Sequence, residues 1–237
     1  MVELHNMSQV EFGIYYVPQE NTTFYKKGSD IVGYDIRAEK IAQSQDVDKK
    51  HFNDEWRKNA KEYGLHMTIT DIVSTESEKL PEIARHVSRL VKNVGYSKIK
   101  IKIDGANFVR NNQSILGAIV ERSEGIQNLH KDLVEIQKYG DSSFYTRKAK
   151  SKPEWISTLT PVQRKNLSEY MSPYVLQEYL PHFTILNPFG GNRDNIINDV
   201  NNLLVLPISF DLQSVTIVQR GVGEKFFKIY EEIPVVN

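Results

Sequence analysis

Two five-residue stretches, Leu65-His66-Met67-Thr68-Ile69 and Pro181-His182-Phe183-Thr184-Ile185, repeat one pattern: a histidine and a threonine two residues apart, with apolar residues between and after them. Imidazole gains or loses a proton near neutral pH, and a threonine hydroxyl donates a hydrogen bond to an anionic oxygen. A histidine and a threonine side by side suit a phosphate, and we read the two stretches as halves of one active site. Only six histidines are present in 237 residues, so chance alone is not expected to give two such motifs.

The chemistry requires that each histidine and threonine share a surface. The alternation of β-branched and aromatic residues predicts a strand for each stretch. Successive strand side chains point to opposite faces, so His66 and Thr68 project together, about 6 to 7 Å apart along the strand. Met67 and Ile69 take the other face. His182 with Thr184, and Phe183 with Ile185, divide in the same way. The apolar sets are then free to pack on a core while the polar sets line a cleft.

The elements that carry these strands follow from the pattern on either side. Val10 to Val17 predicts a first strand, ended by Pro18. Gln19 to Ala38 mixes Phe24, Tyr25, Lys26, Lys27, Gly28, Gly33, Tyr34 and Arg37, a composition suited to a loop over a ligand. Val47 to Tyr63 predicts a helix through Phe52, Trp56 and Ala60, with Gly64 ending it before the first motif. Ser74 or Thr75 is placed to cap a helix running to about Lys92, with Ile83, Val87, Leu90 and Val91 as its stripe and His86 beside it. Ser97 to Ile103 and Ser114 to Val120 predict strands. Ser123 then starts a helix through Ile126, Leu129, Leu133 and Ile136 that leaves His130 on its polar side.

Gly140 to Pro153 gathers Arg147, Lys148, Lys150 and Lys152 beside Phe144 and Tyr145, and is expected as an exposed linker or a basic flap over phosphates. Thr160 and Pro161 open a helix to Met171, and Asn192 to Leu204 predicts another. Ile208 to Leu212, Ser214 to Arg220 and Lys225 to Ile233 predict strands, the last two joined by a turn at Gly221 to Glu224. Each half therefore runs helix, motif strand, helix, strand, strand. We expect one bilobal domain over residues 1–237, with lobes near 10–140 and 153–237 and a linker near 140–153.

Composition bounds the partners. Lys plus Arg and Asp plus Glu both number 30, so no basic field advertises duplex DNA. With no cysteine, disulfides, thiolate catalysis and cysteine metal sites are excluded, which fits a reducing compartment. No apolar run reaches the roughly 20 residues of a membrane span, and the start of the chain, with Glu3 and His5, lacks a secretion signal. A cytoplasmic protein with no membrane partner is expected; the sequence leaves the oligomeric state open.

In its paired motifs at His66, Thr68, His182 and Thr184, and in the element order around them, the chain resembles the 2H phosphoesterase superfamily, which includes RNA ligase-like and 2′,3′-cyclic-nucleotide phosphodiesterases. The resemblance implies an α+β fold of two pseudo-symmetric lobes, with antiparallel sheets flanking a central groove and one motif on each side. It implies a phosphodiesterase in which His66 and His182 are catalytic, one accepting and one donating a proton, while Thr68 and Thr184 bind the phosphoryl oxygens, with no metal or other cofactor. The substrate would be a nucleotide or short oligonucleotide, with a cyclic oligonucleotide signal as an alternative. Tyr15, Tyr16, Phe24, Tyr25, Tyr34, Phe144 and Tyr145 are candidates to stack on its bases; Tyr25, Tyr34, Phe144 and Tyr145 double as lid residues. Three other readings remain open: a two-histidine metal site, a module that sequesters a nucleotide without turnover, and a structural protein whose histidines lie apart.

Overall fold

The computed structural model describes residues 9–42, 47, 52–94 and 99–235. Its strands are β1 (Gln9–Tyr16), β2 (Met67–Glu76), β3 (Lys100–Phe108), β4 (Leu116–Val120), β5 (His182–Leu186), β6 (Ile208–Asp211), β7 (Ser214–Gly221) and β8 (Lys228–Pro234). They form one antiparallel sheet in the order β6-β3-β4-β5-β2-β1-β7-β8, with helices packed on it, so the α+β expectation holds. The two motif strands, β2 and β5, are neighbours at its centre. Each half of the sheet is reached by adding strands outward from one of them.

The chain enters the half containing β1 and β2, crosses to β3 through β6, and returns for β7 and β8. The halves of the sheet are thus interleaved in sequence, and the expected lobes 10–140 and 153–237 do not coincide with them. Strand pattern reveals which residues pair less directly than which residues are strands, because register across a long crossover is a tertiary choice.

Packing explains the face that the motif strands bury. Phe183 and Met67 are fully buried, and Phe24 meets Phe183 edge-on at 5.0 Å between ring centroids. Burying one such side chain stabilises the fold by about 1.5 to 3 kcal/mol.

Several elements differ from expectation. Residues 23–32 of the expected ligand loop are helix α1 (Thr23–Val32), in which Thr22 caps Tyr25 N–H and the chain leaves the helix at Gly33. A Cβ on Gly28 would stand 2.5 Å from Leu65, so this glycine permits close packing rather than a mobile loop. The helix expected from Val47 is the shorter α2 (Asp54–Lys61), capped by Asn53; residues 48–51 lie outside the described residues. Ser74 and Thr75 cap nothing, since β2 runs through them to Glu76 before α3 (Leu80–Val94) begins. β3 starts at Lys100, and residues 97–98 of its expected start lie outside the described residues. Helix α4 (Glu124–Leu133) has its expected Ser123 cap but tightens into a 3-10 turn over Val134–Tyr139.

The expected linker contains helix α5 (Phe144–Ser151), capped by Ser143 and followed by the short α6 (Glu154–Ser157). Ser143 also bridges to Val73 of β2, so this segment is tied to the sheet. Helix α7 (Pro161–Tyr170) begins with a complete capping box between Thr160 and Gln163, and α8 (Arg193–Leu204) lies where the pattern placed it. The turn at Gly221 to Glu224 joins β7 to β8 as expected.

Candidate functional site

The pairing between β2 and β5 is a single bridge, Met67 opposite Phe183. Continuing that antiparallel register by one residue each way sets Thr68 across from His182 and His66 across from Thr184. All four lie on the face opposite Met67 and Phe183. Directly opposed residues stand about 4.5 to 5.5 Å apart at Cβ, and the two histidines occupy a diagonal of the square, about 7 to 8 Å. The sheet thus brings His66, Thr68, His182 and Thr184 together.

Each histidine is held by the same device. Nδ1 of His66 lies 2.9 Å from the Gly64 carbonyl, and Nδ1 of His182 lies 2.8 Å from the Leu180 carbonyl. A carbonyl only accepts, so Nδ1 carries the hydrogen in both rings and Nε2 of each neutral ring is a bare acceptor. Gly64 has φ +70°, a left-handed conformation that aims its carbonyl back at the ring and that glycine adopts without strain. The hydroxyls of Thr68 and Thr184 are half-buried and bond to no group among the described residues.

A one-residue pairing is a weak seam, and a side-chain latch reinforces it. His130, from α4, accepts the Leu176 N–H at Nε2 (2.8 Å) and bonds the Ile69 carbonyl through Nδ1 (2.6 Å). Tyr179, stacked on that imidazole at 3.9 Å, donates its hydroxyl to the Thr68 carbonyl at 2.7 Å. Both ties join β2 to the segment leading into β5. His130 is therefore not on a polar helix face, as its sequence position suggested, but a buried structural group. His86 has a plainer role, bonding the Tyr139 hydroxyl at 2.9 Å.

Burial sets the protonation of all three buried rings. Desolvation lowers His66 to about 4, and the charge of His182 opposes its protonation further. His182 is likewise lowered to about 4 by desolvation, with the Arg110 cation acting in the same direction. His130 is lowered to about 4 by desolvation, which outweighs the opposing hydrogen bond to the Ile69 carbonyl. All three rings are neutral at pH 7.

A stability prediction arises from His130. Its folded pKa is below the ordinary 6.5, so the unfolded chain binds the proton more readily between those values. The stabilisation is fully present above pH 6.5 and is lost as pH falls toward 4, amounting to about 3 kcal/mol by the 1.36 kcal/mol per unit relation. Between pH 7.5 and pH 5, urea unfolding should show a loss about 2 kcal/mol larger in the wild type than in His130→Gln. An identical pH dependence in the two would contradict it.

Tyr25 and Tyr34, expected to stack on bases or close a lid, are core residues: the Tyr25 hydroxyl bonds Asp35, and Tyr34 donates to the Phe227 carbonyl at 3.0 Å. Phe24 and Tyr16 are buried beside Phe183. Bonded hydroxyls explain the corrections at Tyr25 and Tyr34, and packing on Phe183 those at Phe24 and Tyr16, since composition does not reveal which aromatic is buried. Phe144, 56% exposed, and half-buried Tyr145 are different: Tyr145 packs against Trp155 and edge-on against Tyr174, and senses the charges of Asp71 and Arg110.

Tyr15, expected to stack on a base, is buried and stacks instead on the His66 ring at 3.9 Å and 16°, opposite Thr68 in the pairing of β1 and β2. Sequence reasoning missed three other groups here. Asp71 lies where β2 shifts register against β1, the kind of irregularity that re-aims a side chain. Burial raises its pKa, opposed by the hydroxyl of Ser172 and by Arg110. Arg110 and Tyr174 complete the group. Asp71, Arg110 and Tyr174 left no signal in the sequence pattern.

Glycine at 117 keeps the His182 side open. Gly117 pairs with Thr184, and a Cβ there would lie 3.1 Å from the Phe183 carbonyl oxygen and 3.3 Å from the His182 ring. Any larger residue would push on the imidazole.

No family model and no curated protein matches this sequence. Among solved structures, TT0787 of Thermus thermophilus aligns with 95% of this chain and 97% of its own, at TM-score 0.51 and 12% identity. E. coli LigT, in its complex with NADP+, aligns over 97% of this chain and 99% of its own at TM-score 0.48 and 11% identity. A protein described as a phosphoesterase aligns over the same shares at TM-score 0.46 and 10% identity. At such identities the likeness is one of fold.

Proposed function

We propose that this chain, which has the 2H phosphoesterase fold, is a metal-independent phosphodiesterase acting on a nucleotide or short oligonucleotide by acid–base catalysis between His66 and His182. The observation that carries the reading is the matched pair of imidazoles: each is fixed through Nδ1, each leaves Nε2 available, and each stands across a strand pair from an unengaged threonine hydroxyl.

The arrangement does chemistry in a definite order. A phosphodiester entering the groove brings negative charge, which raises the pKa of the facing imidazoles and recruits one proton. The neutral imidazole takes a proton through Nε2 from the attacking hydroxyl, either water or a ribose 2′-hydroxyl. The imidazolium gives its proton to the leaving oxygen. Thr68 and Thr184 donate hydrogen bonds to the non-bridging oxygens as charge redistributes there. A nucleoside flanking the phosphate has Tyr145 and the exposed Phe144 within the same surface, and base stacking contributes about 1 to 3 kcal/mol per base.

Each motif offers one imidazole and a neutral hydroxyl, a poor donor set for a divalent ion, and among the described residues no three His, Asp or Glu side chains cluster at ion-binding range. The test is a screen of 2′,3′-cyclic, 2′-5′-linked and 3′-5′-linked nucleotides in excess chelator, with products identified chromatographically. Turnover of at least one class, unaffected by chelator, is the expected result. Binding without turnover would make the protein a sequestering module. Activity lost on chelation and restored by zinc or manganese would overturn the metal-free mechanism.

A further inference from the structure

Arg110 stands at the tip of the hairpin between β3 and β4 with φ 54° and ψ 35°. A long side chain occupies that left-handed region at a cost and does so where its surroundings hold it, frequently at ligand-binding positions. Its guanidinium lies 4.4 Å over the Tyr174 ring. It makes no hydrogen bond and no ion pair among the described residues.

Other arginines around the sheet are matched with carboxylates. Arg37 pairs with Glu232, Arg220 with Glu11 and Glu62, and Arg147 with Glu11. Arg110 has only partial neighbours. Asp71 feels its charge, but the Asp71 carboxylate is engaged by the Ser172 hydroxyl, and Glu178 accepts from Gln163 at 2.8 Å. On the other side stands His182, whose protonation the guanidinium opposes. A cation seated on a ring beside this groove, with its N–H edge unspent, has the chemistry to bind an anion in two-pronged fashion.

The anion is not required to be the phosphate under attack. Two imidazoles and two hydroxyls already converge on that group from β2 and β5, whereas Arg110 approaches from a separate hairpin and is anchored to Tyr174, in the segment before β5. Tyr174 in turn meets Tyr145 edge-on at 5.5 Å, so the cation adjoins the aromatic surface available to a nucleoside.

We propose that Arg110, seated on Tyr174, binds a second phosphate next to the scissile one, so that the groove selects an oligonucleotide or a bisphosphorylated nucleotide over a ligand with one phosphate. This rests on the reading of the His/Thr groove as a phosphodiester site.

Calorimetric binding separates the two ideas, because it needs no turnover. Adenosine 3′,5′-bisphosphate and adenosine 3′-monophosphate are titrated into the wild type, Arg110→Ala, Arg110→Lys and Arg110→Gly. Glycine accepts the left-handed backbone, so Arg110→Gly removes the charge without strain. The wild type should prefer the bisphosphate by about 10 to 100-fold, the range of one or two charge-assisted hydrogen bonds. Arg110→Ala and Arg110→Gly should lose most of that preference, and Arg110→Lys should keep part of it, as a point charge lacking the fork. A preference unchanged in all three variants would overturn the proposal, as would equal weakening of both ligands, which would place Arg110 on the scissile phosphate, or failure of the wild type to bind either ligand. If the preference behaves as expected while no phosphodiester is cleaved, the subsite stands and the phosphodiesterase reading falls.

Discussion

Replacing either His66 or His182 by alanine should lower kcat by about 10² to 10⁴-fold, the usual contribution of a positioned general acid or base. The fold should survive, because β2 and β5 are anchored through Met67 and Phe183 on the opposite, fully buried face. Each histidine ring spends one hydrogen bond on a local carbonyl, and that carbonyl can be met by water at the groove. His66→Ala also strips the stacking partner from Tyr15, so it should be the more destabilising of the two. Thr68→Ala and Thr184→Ala remove one donor among several and should slow turnover less. Rates near wild type in either histidine variant, with unchanged circular dichroism, would contradict the paired mechanism.

The second large effect concerns pH. The productive form carries one proton on the pair, whereas the free protein carries none there near neutrality, since burial lowers both rings to about 4. Reaching the transition state from free enzyme therefore consumes a proton from solvent. On that ground kcat/KM should fall as pH rises from about 5 to 8, by about tenfold per unit. In the complex, the bound phosphate raises the pKa values, so kcat should follow a bell displaced to higher pH. The profiles belong to the pair and not to either histidine alone. A kcat/KM that climbs toward alkaline pH would show that only a base is needed.

The parts of the site legible in the sequence are those fixed by strand periodicity. His66 with Thr68 and His182 with Thr184 fall on one face because the period of a strand is two, whatever the rest of the chain does. The helix caps at Ser123 and Thr160 were legible for a similar reason, each being a local hydrogen bond between a side chain and the next turn. α1 was missed although Thr22 and Gly33 bracket it, because its aromatics and lysines give it the composition of a ligand-binding loop. Tyr25 and Tyr34 show the limit of composition: whether an aromatic stacks on a ligand or on the core depends on which hydroxyl finds a partner inside, and Asp35 and Phe227 provide those partners. Arg110 and Asp71 were invisible, since their significance lies in a left-handed hairpin tip and a strand irregularity that only the assembled sheet defines. His130 was misplaced for the same reason, its two partners being 61 and 46 residues away.

Central to the proposed mechanism is that His66 and His182 work as one unit on one phosphate. This is tested most directly by kcat/KM for the wild type, the two single alanine variants and the double variant His66→Ala/His182→Ala, all with the best substrate from the screen. Residues that act together are strongly non-additive, because losing one already disables what the other does. The double variant should therefore be about as slow as the slower single variant. A double variant whose loss equals the product of the two single losses would mean that the histidines act independently, and would contradict the paired mechanism.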